Sequence, residues 1–589
     1  RQSFRKPLKF VRLLIVLMAV EERRMLESER ERERRDIFVY GNVNSISKRM
    51  SKSSDDDVVS DEELRMCVDV LERVWRSNSR ATPVEGDFLL SKKCKSLRRA
   101  IGKFSEWNEK RKFAGAQSKE EYRSKQQAKK ELRDKKLKEK ALDRKHINNR
   151  KLRLARLQKL KKLQEQVPSD LPLIPDGFVC SEDDVKCIKD DDEEETTTKL
   201  YNLRSCYVCK ARFRDLHKFY DQLCPSCADL NFQKRHATCD FKNRVAIVTG
   251  GRVKIGFNVA LKLLRWGGIV YVTSRFPVDA LKRYRSQKDF HVWGDRLKIL
   301  GLDFRDIAGV KRFCTWFVEN HDCLDALINN ACQTIRRPAQ YYAHLLEAES
   351  SNLLLKDKVL TSWEFQSSTT TTTTKQGNAA SALASSSLRS HEKSQVAVMD
   401  ADKICSDIMF PANALDTNEQ QIDLRRKNSW VKTIEEIQFP EVAEVFAINA
   451  IAPFTLCSNL IPLLKRTSKK RNTDTFIVNV SAMEGKFYRH KLPTHPNTNA
   501  AKAALNMMTR TSAPELAKSG ILMTAVDTGW INDENPLFKA KKQAEKHNFQ
   551  TPIDEIDAAA RILDPIVSRV NHGKRIFGIF LKDYMETEW

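Results

Sequence analysis

The sequence lacks a recognisable export signal. An apolar run at residues 10–20 follows basic residues, but Arg12 interrupts it and no small-residue cleavage site comes after it. The run is also shorter than the roughly 20 residues that a membrane-spanning helix requires. We therefore expect no membrane span. Residues 1–49 are assigned no function, since Met25 or Met50 would each make a plausible start.

The cysteine pattern does not indicate a disulfide framework. The chain has 14 cysteines spread over 589 residues. Without an export signal, such thiols more often pack or bind metal in a reducing compartment. We expect the protein to be cytoplasmic, with the nucleus as the alternative.

Acidic residues are scarce at 91–170, where 28 Lys or Arg stand against 10 Asp or Glu, and the whole chain has a net charge of +26. A positive field of this kind suits nucleic acid or an acidic protein partner. A solvated basic segment with no dedicated ligand is an equally good interpretation.

Residues 119–166 contain no Pro or Gly, which predicts a long basic helix. A thin apolar stripe runs along its end, but the sustained heptad of a coiled coil is missing, so a coiled coil is the weaker prediction. The stripe consists of Leu154, Leu157, Leu160 and Leu163.

Composition divides the chain into regions that differ in charge and cysteine content. Residues 343–438 are polar and repetitive, so we interpret them as an insertion that does not pack. Residues 61–77 predict a small amphipathic helix. The regions are an uncertain extension at 1–49, a strongly basic helical region at 50–168, an acidic linker at 169–200, a cysteine module at 201–240 and a large domain at 241–589.

Four cysteines stand in two CxxC pairs, Cys206 with Cys209 and Cys224 with Cys227. Each pair can hold a metal ion through a tight turn, and four thiolates fill the tetrahedral shell of Zn²⁺. The pattern therefore predicts a structural zinc site with no open position for a catalytic water. His217 lies between the pairs and is expected to pack rather than to bind metal.

Apolar runs of strand length alternate with helical segments from Phe241 onward. Continuous apolar strands separated by helices predict a parallel sheet covered on both faces, which is a doubly wound α/β fold. Its ligand is expected at the carboxyl ends of the strands. The predicted strands are 245–249, 269–274, 297–302, 324–329, 475–480, 521–526 and 575–581, and the predicted helices are 258–266, 310–320, 442–464 and 499–516.

The first predicted strand runs into a glycine turn and then into a helix. The turn reads TGGRVKIG, from Thr249 to Gly256. Glycines allow the tight turn, and the helix N-terminus offers unpaired NH groups to a phosphate. The segment therefore predicts a site for a dinucleotide pyrophosphate.

This turn and later segments resemble the short-chain dehydrogenase/reductase superfamily, which usually has glycine where this chain has Lys254. The resemblance implies a Rossmann-like fold that binds a nicotinamide dinucleotide. Arg275, helped by Arg252, suits a 2′-phosphate, so NADP(H) is expected in preference to NAD(H). The resemblance assigns cofactor binding to Thr249, Gly250, Gly251, Arg252, Lys254, Ile255, Gly256, Arg275, Asp303, Asn329, Ala331, Lys502 and Gly529.

Three residues are similar to the family's catalytic set. The resemblance implies that Asn449 holds a water in a proton relay, that Ser481 hydrogen-bonds a substrate carbonyl and that Lys502 binds the nicotinamide ribose. The family's tyrosine, four residues before this lysine, is replaced by Thr498. An aliphatic hydroxyl is far too weak an acid to take over the role of a phenol unaided.

Two other side chains near this position could deliver a proton. They are Tyr488 and His495, although a role as loop residues is the simpler interpretation of both. Only their geometry can qualify them as donors.

The leading hypothesis is an NADP(H)-dependent oxidoreductase that transfers a hydride between nicotinamide and a small carbonyl or alcohol substrate. Its alternative is a catalytically silent NADP(H)-binding scaffold or sensor, which would recruit protein or nucleic acid through the zinc module and the basic helix. The sequence does not fix the oligomeric state, but the predicted helices 442–464 and 499–516 match those through which the family often dimerises, so the resemblance is compatible with a homodimer or homotetramer.

Overall fold

The computed structural model describes residues 119–166, 198–350, 388–402 and 408–589, apart from 413, 417 and 489. The predicted amphipathic helix at 61–77 and most of the acidic linker lie outside these ranges. The chain divides into two units, residues 1–137 and residues 138–589. The features below belong to the second unit, 138–589, unless stated otherwise.

The predicted long basic helix consists of two helices, α1 (Lys119–Asn148) and α2 (Lys151–Gln166). Tertiary contacts accompany the break. The NH groups of Lys151 and Leu152 donate to the carbonyls of Lys218 and Phe219 rather than within a continuous helix. The start of α2 is thereby tied to the cysteine module.

The cysteine module, residues 198–236, contains an antiparallel pair of strands, β1 (Lys199–Ser205) and β2 (Arg212–Asp215), and the helix α3 (Pro225–His236). Pro225 occupies the first turn of α3, where its missing NH leaves no helical bond unmade. Leu152 of α2 is buried in the apolar cluster of this module. The module and the second basic helix thus share one small core.

An eight-stranded sheet forms the centre of the large domain. Its order is β10-β9-β8-β7-β6-β3-β4-β5, and every neighbouring pair is parallel except β9 with β10. The direction of strand order reverses between β3 and β6, which is the switch point where such folds bind ligands. The strands are β3 (Val245–Thr249), β4 (Ile269–Ser274), β5 (Leu297–Gly301), β6 (Ala326–Asn329), β7 (Thr475–Ser481), β8 (Ile521–Asp527), β9 (Phe580–Lys582) and β10 (Met585–Thr587).

Helices cover both faces of this sheet and bury two apolar clusters against it. The α-helices are α4 (Lys254–Arg265), α5 (Pro277–Arg285), α6 (Phe290–Trp293), α7 (Ile307–Asn320), α8 (Ala343–Ser350), α9 (Ser390–Lys393), α10 (Phe439–Phe446), α11 (Ala452–Arg471), α12 (Pro496–Lys518), α13 (Leu537–His547) and α14 (Glu555–His572). Short 3₁₀ turns lie at Gly294–Arg296, Ala339–Tyr342, Asp400–Asp402, Ser429–Val431, Ile434–Glu436 and Met483–Gly485.

The predicted doubly wound α/β class is confirmed. Six predicted strands agree with observed ones to within two residues, but the prediction of a strand at 575–581 is largely wrong, because the regular strand is β9, three residues long. The predicted helix 442–464 is divided by a π-helical turn, Ala447–Ile451, which separates α10 from α11.

One helical stretch in the described ranges, Phe439–Arg471, passes a length and composition test for crossing a membrane. Half of its most apolar window is buried inside the fold. A buried core helix satisfies the same test, so this stretch is weak support for a membrane span.

The described parts of the insertion differ from the expectation that it does not pack. Within 388–402 and 408–438, polar side chains such as Ser390, Gln421 and Ser429 are buried. Packing is achieved through buried charge pairs that composition does not reveal. Arg336, for example, donates to Asp402 at 2.7 Å and to Glu444 at 3.0 Å.

Candidate active site

A cavity of about 680 Å³ lies at the carboxyl ends of the strands. Its wall includes Thr273 from β4, Ser481 from β7, Asp527 from β8 and Lys582 from β9. This is the place predicted for the ligand. The predicted site residues that line it are Gly250, Arg252, Lys254, Ile255, Gly256, Arg275, Asp303, Ala331, Ser481, Thr498, Lys502 and Gly529.

The other four predicted site residues, Thr249, Gly251, Asn329 and Asn449, are absent from the cavity wall. Each makes hydrogen bonds within the fold: the Thr249 hydroxyl accepts from the NH groups of Asn330 and Ala331, both at 2.9 Å. The Gly251 carbonyl accepts from Tyr284 Oη at 2.7 Å, and Asn329 Nδ2 donates to Asn479 Oδ1 at 2.8 Å. These residues therefore support the glycine turn and the loop after β6 through hydrogen bonds, without lining the cavity.

The turn after β3 brings backbone close to backbone. Gly250 has φ +66°, and a Cβ atom there would lie 2.9 Å from the Cα of Ala331. A side chain at this position would therefore be both strained and obstructed.

Lys254 stands where the short-chain dehydrogenase/reductase superfamily usually has glycine. The backbone conformation at this position explains why glycine is preferred there. Its φ is +54°, in the left-handed region that costs a non-glycine residue roughly 1–2 kcal/mol. The lysine lines the cavity at the N-terminus of α4, where an ammonium group and helix NH groups together suit a phosphate.

Two arginines stand at the end of the cavity near β4. Arg275 donates to Tyr342 Oη at 2.8 Å, with its guanidinium 4.7 Å from the centre of the same ring. Arg252 pairs with Asp279 at 2.7 Å and donates to Gln420. Both guanidinium groups are therefore held in place at the edge predicted to hold a 2′-phosphate.

Asp303 lies beyond the end of β5 and is buried. Burial alone would raise its pKa, but the guanidinium of Arg305, 2.7 Å away, outweighs burial and holds the pKa below its usual range. The carboxylate is thus kept charged as a hydrogen-bond acceptor in the cavity wall.

Ser481 and Lys502 come together at the opposite end of the cavity. The Ser481 hydroxyl donates to Asn506 Oδ1 at 2.6 Å, and Lys502 Nζ donates to the carbonyl of Val480 at 2.7 Å. Both polar groups are buried, so a ligand that replaced these partners would meet preoriented donors.

Asn449 lies in the π-helical turn between α10 and α11. Its side chain accepts from the NH of Gln333 at 2.8 Å and donates to the carbonyl of Gln333 at 3.0 Å. The predicted water relay therefore stays a prediction, since the amide is used to fix the loop after β6. A π-turn of this kind frequently occurs at functional sites.

Thr498 lies one turn before Lys502 on α12, so the two side chains share a face. The threonine is 1% exposed and lines the cavity, yet its hydroxyl has no hydrogen-bond partner among the described residues. A buried hydroxyl without a partner is costly. The Thr498 hydroxyl is therefore available to form a hydrogen bond with a ligand atom.

The two alternative proton donors lie elsewhere. Neither Tyr488 nor His495 is among the described residues that line the cavity. Lys486 Nζ lies 4.3 Å from the ring centre of Tyr488, while the His495 ring stacks at 3.9 Å on Trp430 and its Nδ1 lies 2.9 Å from the Trp430 carbonyl. This placement supports the simpler interpretation of both as loop residues.

Several residues in the wall were missed by sequence reasoning because they come from segments expected to be separate. Trp430 and Gln420 come from the insertion, and Tyr207 comes from the cysteine module. Glu484 and Lys582 follow or end strands and could have been found from that position. A tryptophan in a polar stretch was the available signal for Trp430.

The four predicted metal ligands come together. The sulfur atoms of Cys206, Cys209, Cys224 and Cys227 all lie within 4.8 Å of one another. Tetrahedral Zn²⁺ with bonds of about 2.3 Å needs sulfur separations of roughly 3.8 Å, so the cluster fits that ion. His217 accepts from the NH groups of Phe219 and Tyr220 through Nδ1, which confirms that it packs.

Comparison with known proteins identifies relatives of the large domain. A family model described as short chain dehydrogenase matches residues 244–349 and 413–545. A mimivirus protein from Acanthamoeba polyphaga mimivirus, described as uncharacterized protein R665, is 28% identical over 392 residues, which cover 64% of this chain and 73% of the viral protein. The (-)-isopiperitenone reductase of Mentha piperita is 36% identical over 89 residues, or 15% of this chain and 28% of the reductase.

Two similar solved structures have low identity and cover a little over half of the chain. The NADPH-bound carbonyl reductase from chicken fatty liver is 17% identical, with a TM-score of 0.35, and covers 59% of this chain and 100% of its own. The RhlG/NADP complex of Pseudomonas aeruginosa is also 17% identical, with a TM-score of 0.35, and covers 58% and 96%.

The family match omits residues 350–412, which lie inside the predicted insertion. On both sides of this gap, the matched ranges contain the cofactor turn, the six strands from β3 to β8, and Ser481 and Lys502 in the cavity wall. The domain that contains these ranges therefore belongs to the short-chain dehydrogenase/reductase superfamily.

Proposed function

We propose that the protein is an NADP(H)-dependent oxidoreductase that interconverts a small carbonyl compound and an alcohol. The observation that carries the proposal is one cavity that joins the glycine turn and two arginines at one end to Ser481 and Lys502 at the other. Such a cavity can hold an extended dinucleotide with its adenosine at the arginines and its nicotinamide at the serine.

Each end of the cavity has a separate task in this proposal. Arg275 and Arg252 would bind the 2′-phosphate, and Asp303 would accept a hydrogen bond from the adenine. Lys502 would bind the nicotinamide ribose, and Ser481 would orient the substrate carbonyl. Bound NADPH would supply the hydride, while these residues supply position and hydrogen bonds.

The proposed reduction also requires delivery of a proton to the substrate oxygen. The Thr498 hydroxyl is placed in the cavity but is too weak an acid to replace a phenol. This single replacement favours the second candidate function, a catalytically silent NADP(H) sensor.

Measuring turnover separates the two functions. NADPH oxidation should be followed over a panel of small aldehydes and ketones for the wild type, Thr498→Tyr and Thr498→Val. We expect slow turnover in the wild type and at least a tenfold higher kcat in Thr498→Tyr, because a phenol near Lys502 is a competent acid. Turnover confined to Thr498→Tyr would instead establish the sensor.

Cofactor preference has its own readout. Calorimetric titration of the wild type should give tighter binding of NADPH than of NADH, and Arg275→Ala should reduce that difference by about tenfold, in line with one lost charged hydrogen bond. Equal binding of the two coenzymes to the wild type would contradict the proposed preference.

We also propose that the four cysteines hold a structural Zn²⁺. The support is the closeness of their sulfur atoms and the absence of any other ligand type among them. Metal analysis of purified protein should find one zinc per chain, and Cys209→Ser with Cys227→Ser should remove it. Retention of zinc by that double variant would place the metal elsewhere.

A further inference from the structure

The cysteine module is fastened to α14 of the large domain by buried polar contacts. Tyr220 Oη donates to Asp557 Oδ1 at 2.6 Å. Arg235 donates to both carboxylate oxygens of Asp554, at 2.5 and 2.8 Å. Bidentate pairs of this kind fix orientation as well as distance. The module therefore has a defined position beside the cavity.

Tyr207 extends from this module into the cavity wall. It lies between Cys206 and Cys209, and its NH donates to the carbonyl of Gln222 at 2.8 Å. Its phenol oxygen accepts a hydrogen bond from the NH of Trp530 at 2.9 Å. One residue thus joins the metal-binding turn to the loop that follows β8.

That loop contacts the module directly. Gly529 has φ +82°, and a Cβ atom there would lie 3.3 Å from Tyr207 Oη and 2.5 Å from Ile553. Ile531 packs against the apolar cluster of the module. Residues 529–535 all line the cavity, so this loop borders both the module and the ligand space.

We propose that Tyr207 is a positioning residue through which the metal state of the four cysteines sets the shape of loop 528–535. With zinc bound, the turn at Cys206 holds the Tyr207 phenol oxygen in position to accept the hydrogen bond from the Trp530 NH, and the loop stays ordered in the cavity wall. Without zinc, the acceptor is lost and the loop opens. The consequence for the nicotinamide and substrate end rests on the proposed function, whereas the coupling itself does not.

Hydrogen exchange measured by mass spectrometry tests the coupling without any ligand. Tyr207→Phe keeps the ring but removes the acceptor, so exchange in a peptide covering 528–535 should accelerate by about two- to tenfold. Removing zinc from the wild type with a chelator should accelerate the same peptide at least as much. The matched control is Tyr201→Phe, since Tyr201 belongs to the same module and is 49% exposed.

Three further measurements make the result decisive. Zinc content and Tm should be unchanged in Tyr207→Phe, which excludes unfolding of the module, and its Kd for NADPH should rise a few-fold while that of Tyr201→Phe does not. Exchange equal to wild type in Tyr207→Phe would overturn the coupling. If exchange accelerates in Tyr207→Phe and in the zinc-free wild type, but the untreated wild type does not bind NADPH, the proposed function is contradicted and the coupling stands.

Discussion

Lys254 combines a strained backbone with a charge that the cofactor turn can use. Lys254→Gly and Lys254→Ala both remove the ammonium, but only glycine relieves the left-handed φ. We expect the glycine variant to be more stable than the alanine variant by about 1 kcal/mol in urea unfolding. Both should bind NADPH several-fold more weakly than the wild type. Unchanged affinity in both would show that the lysine does not contact phosphate.

Glu349 provides a pH test of the contact between α8 and α5. Its buried carboxyl accepts from the NH groups of Val278 and Asp279, at 3.1 and 2.9 Å, and burial raises its pKa to about 7. Because this value lies above the ordinary 4.5, the favourable contribution is full below pH 4.5 and is lost as the pH rises through 7.

Glu349→Gln removes this titration. The free energy of unfolding of the wild type should therefore fall relative to that of the variant by on the order of 2 kcal/mol between pH 5 and pH 8. Urea titrations at several pH values measure the difference. Parallel pH profiles for the two proteins would contradict the proposed titration.

At the scale of elements, continuous apolar runs predicted most of the sheet. The interior strands β3, β4, β7 and β8 are buried on both faces, so pattern and environment agree. The error at 575–581 has a physical cause. Gly578 has φ +69°, and irregular bonds such as Gly578 NH to Met523 carbonyl replace a regular ladder.

The candidate site was predictable where it is local in sequence and not where it is assembled by tertiary contacts. The glycine turn and the pair Ser481 and Lys502 follow from short patterns. Tyr207 reaches the cavity from a segment whose composition gives no sign of it, and the available signal for Trp430 was only a tryptophan in a polar stretch. Their positions depend on side-chain contacts between elements far apart in the chain, which no local pattern encodes.

At the scale of the whole molecule, the chain carries a net charge of +26, which would suit nucleic acid as a partner. In the first unit, the described start of α1 carries exposed cations, including Lys129, Lys130, Lys135 and Lys136. If these cations contact about four phosphates, the Kd for duplex RNA or DNA should rise by about a hundredfold between 50 and 200 mM salt.

A mobility-shift titration at both salt concentrations measures this effect. Replacing the four lysines by glutamine should flatten the salt dependence, whereas an equal number of substitutions at Lys539, Lys542, Lys546 and Lys574 serves as the control of matched charge. Failure of the wild type to shift labelled nucleic acid at 50 mM salt would remove this partner from consideration.

The contacts between α14 and the cysteine module determine which fragments of the chain can be expressed as folded protein. A fragment beginning in front of β3, at the recognised family boundary, would leave Asp554 and Asp557 without Arg235 and Tyr220. The same cut would expose Ile531 and Ile553, which pack in the apolar cluster of the module, and exposed apolar surface promotes association. The smallest fragment that folds on its own should therefore begin upstream of α2, and a shorter clone should yield aggregates.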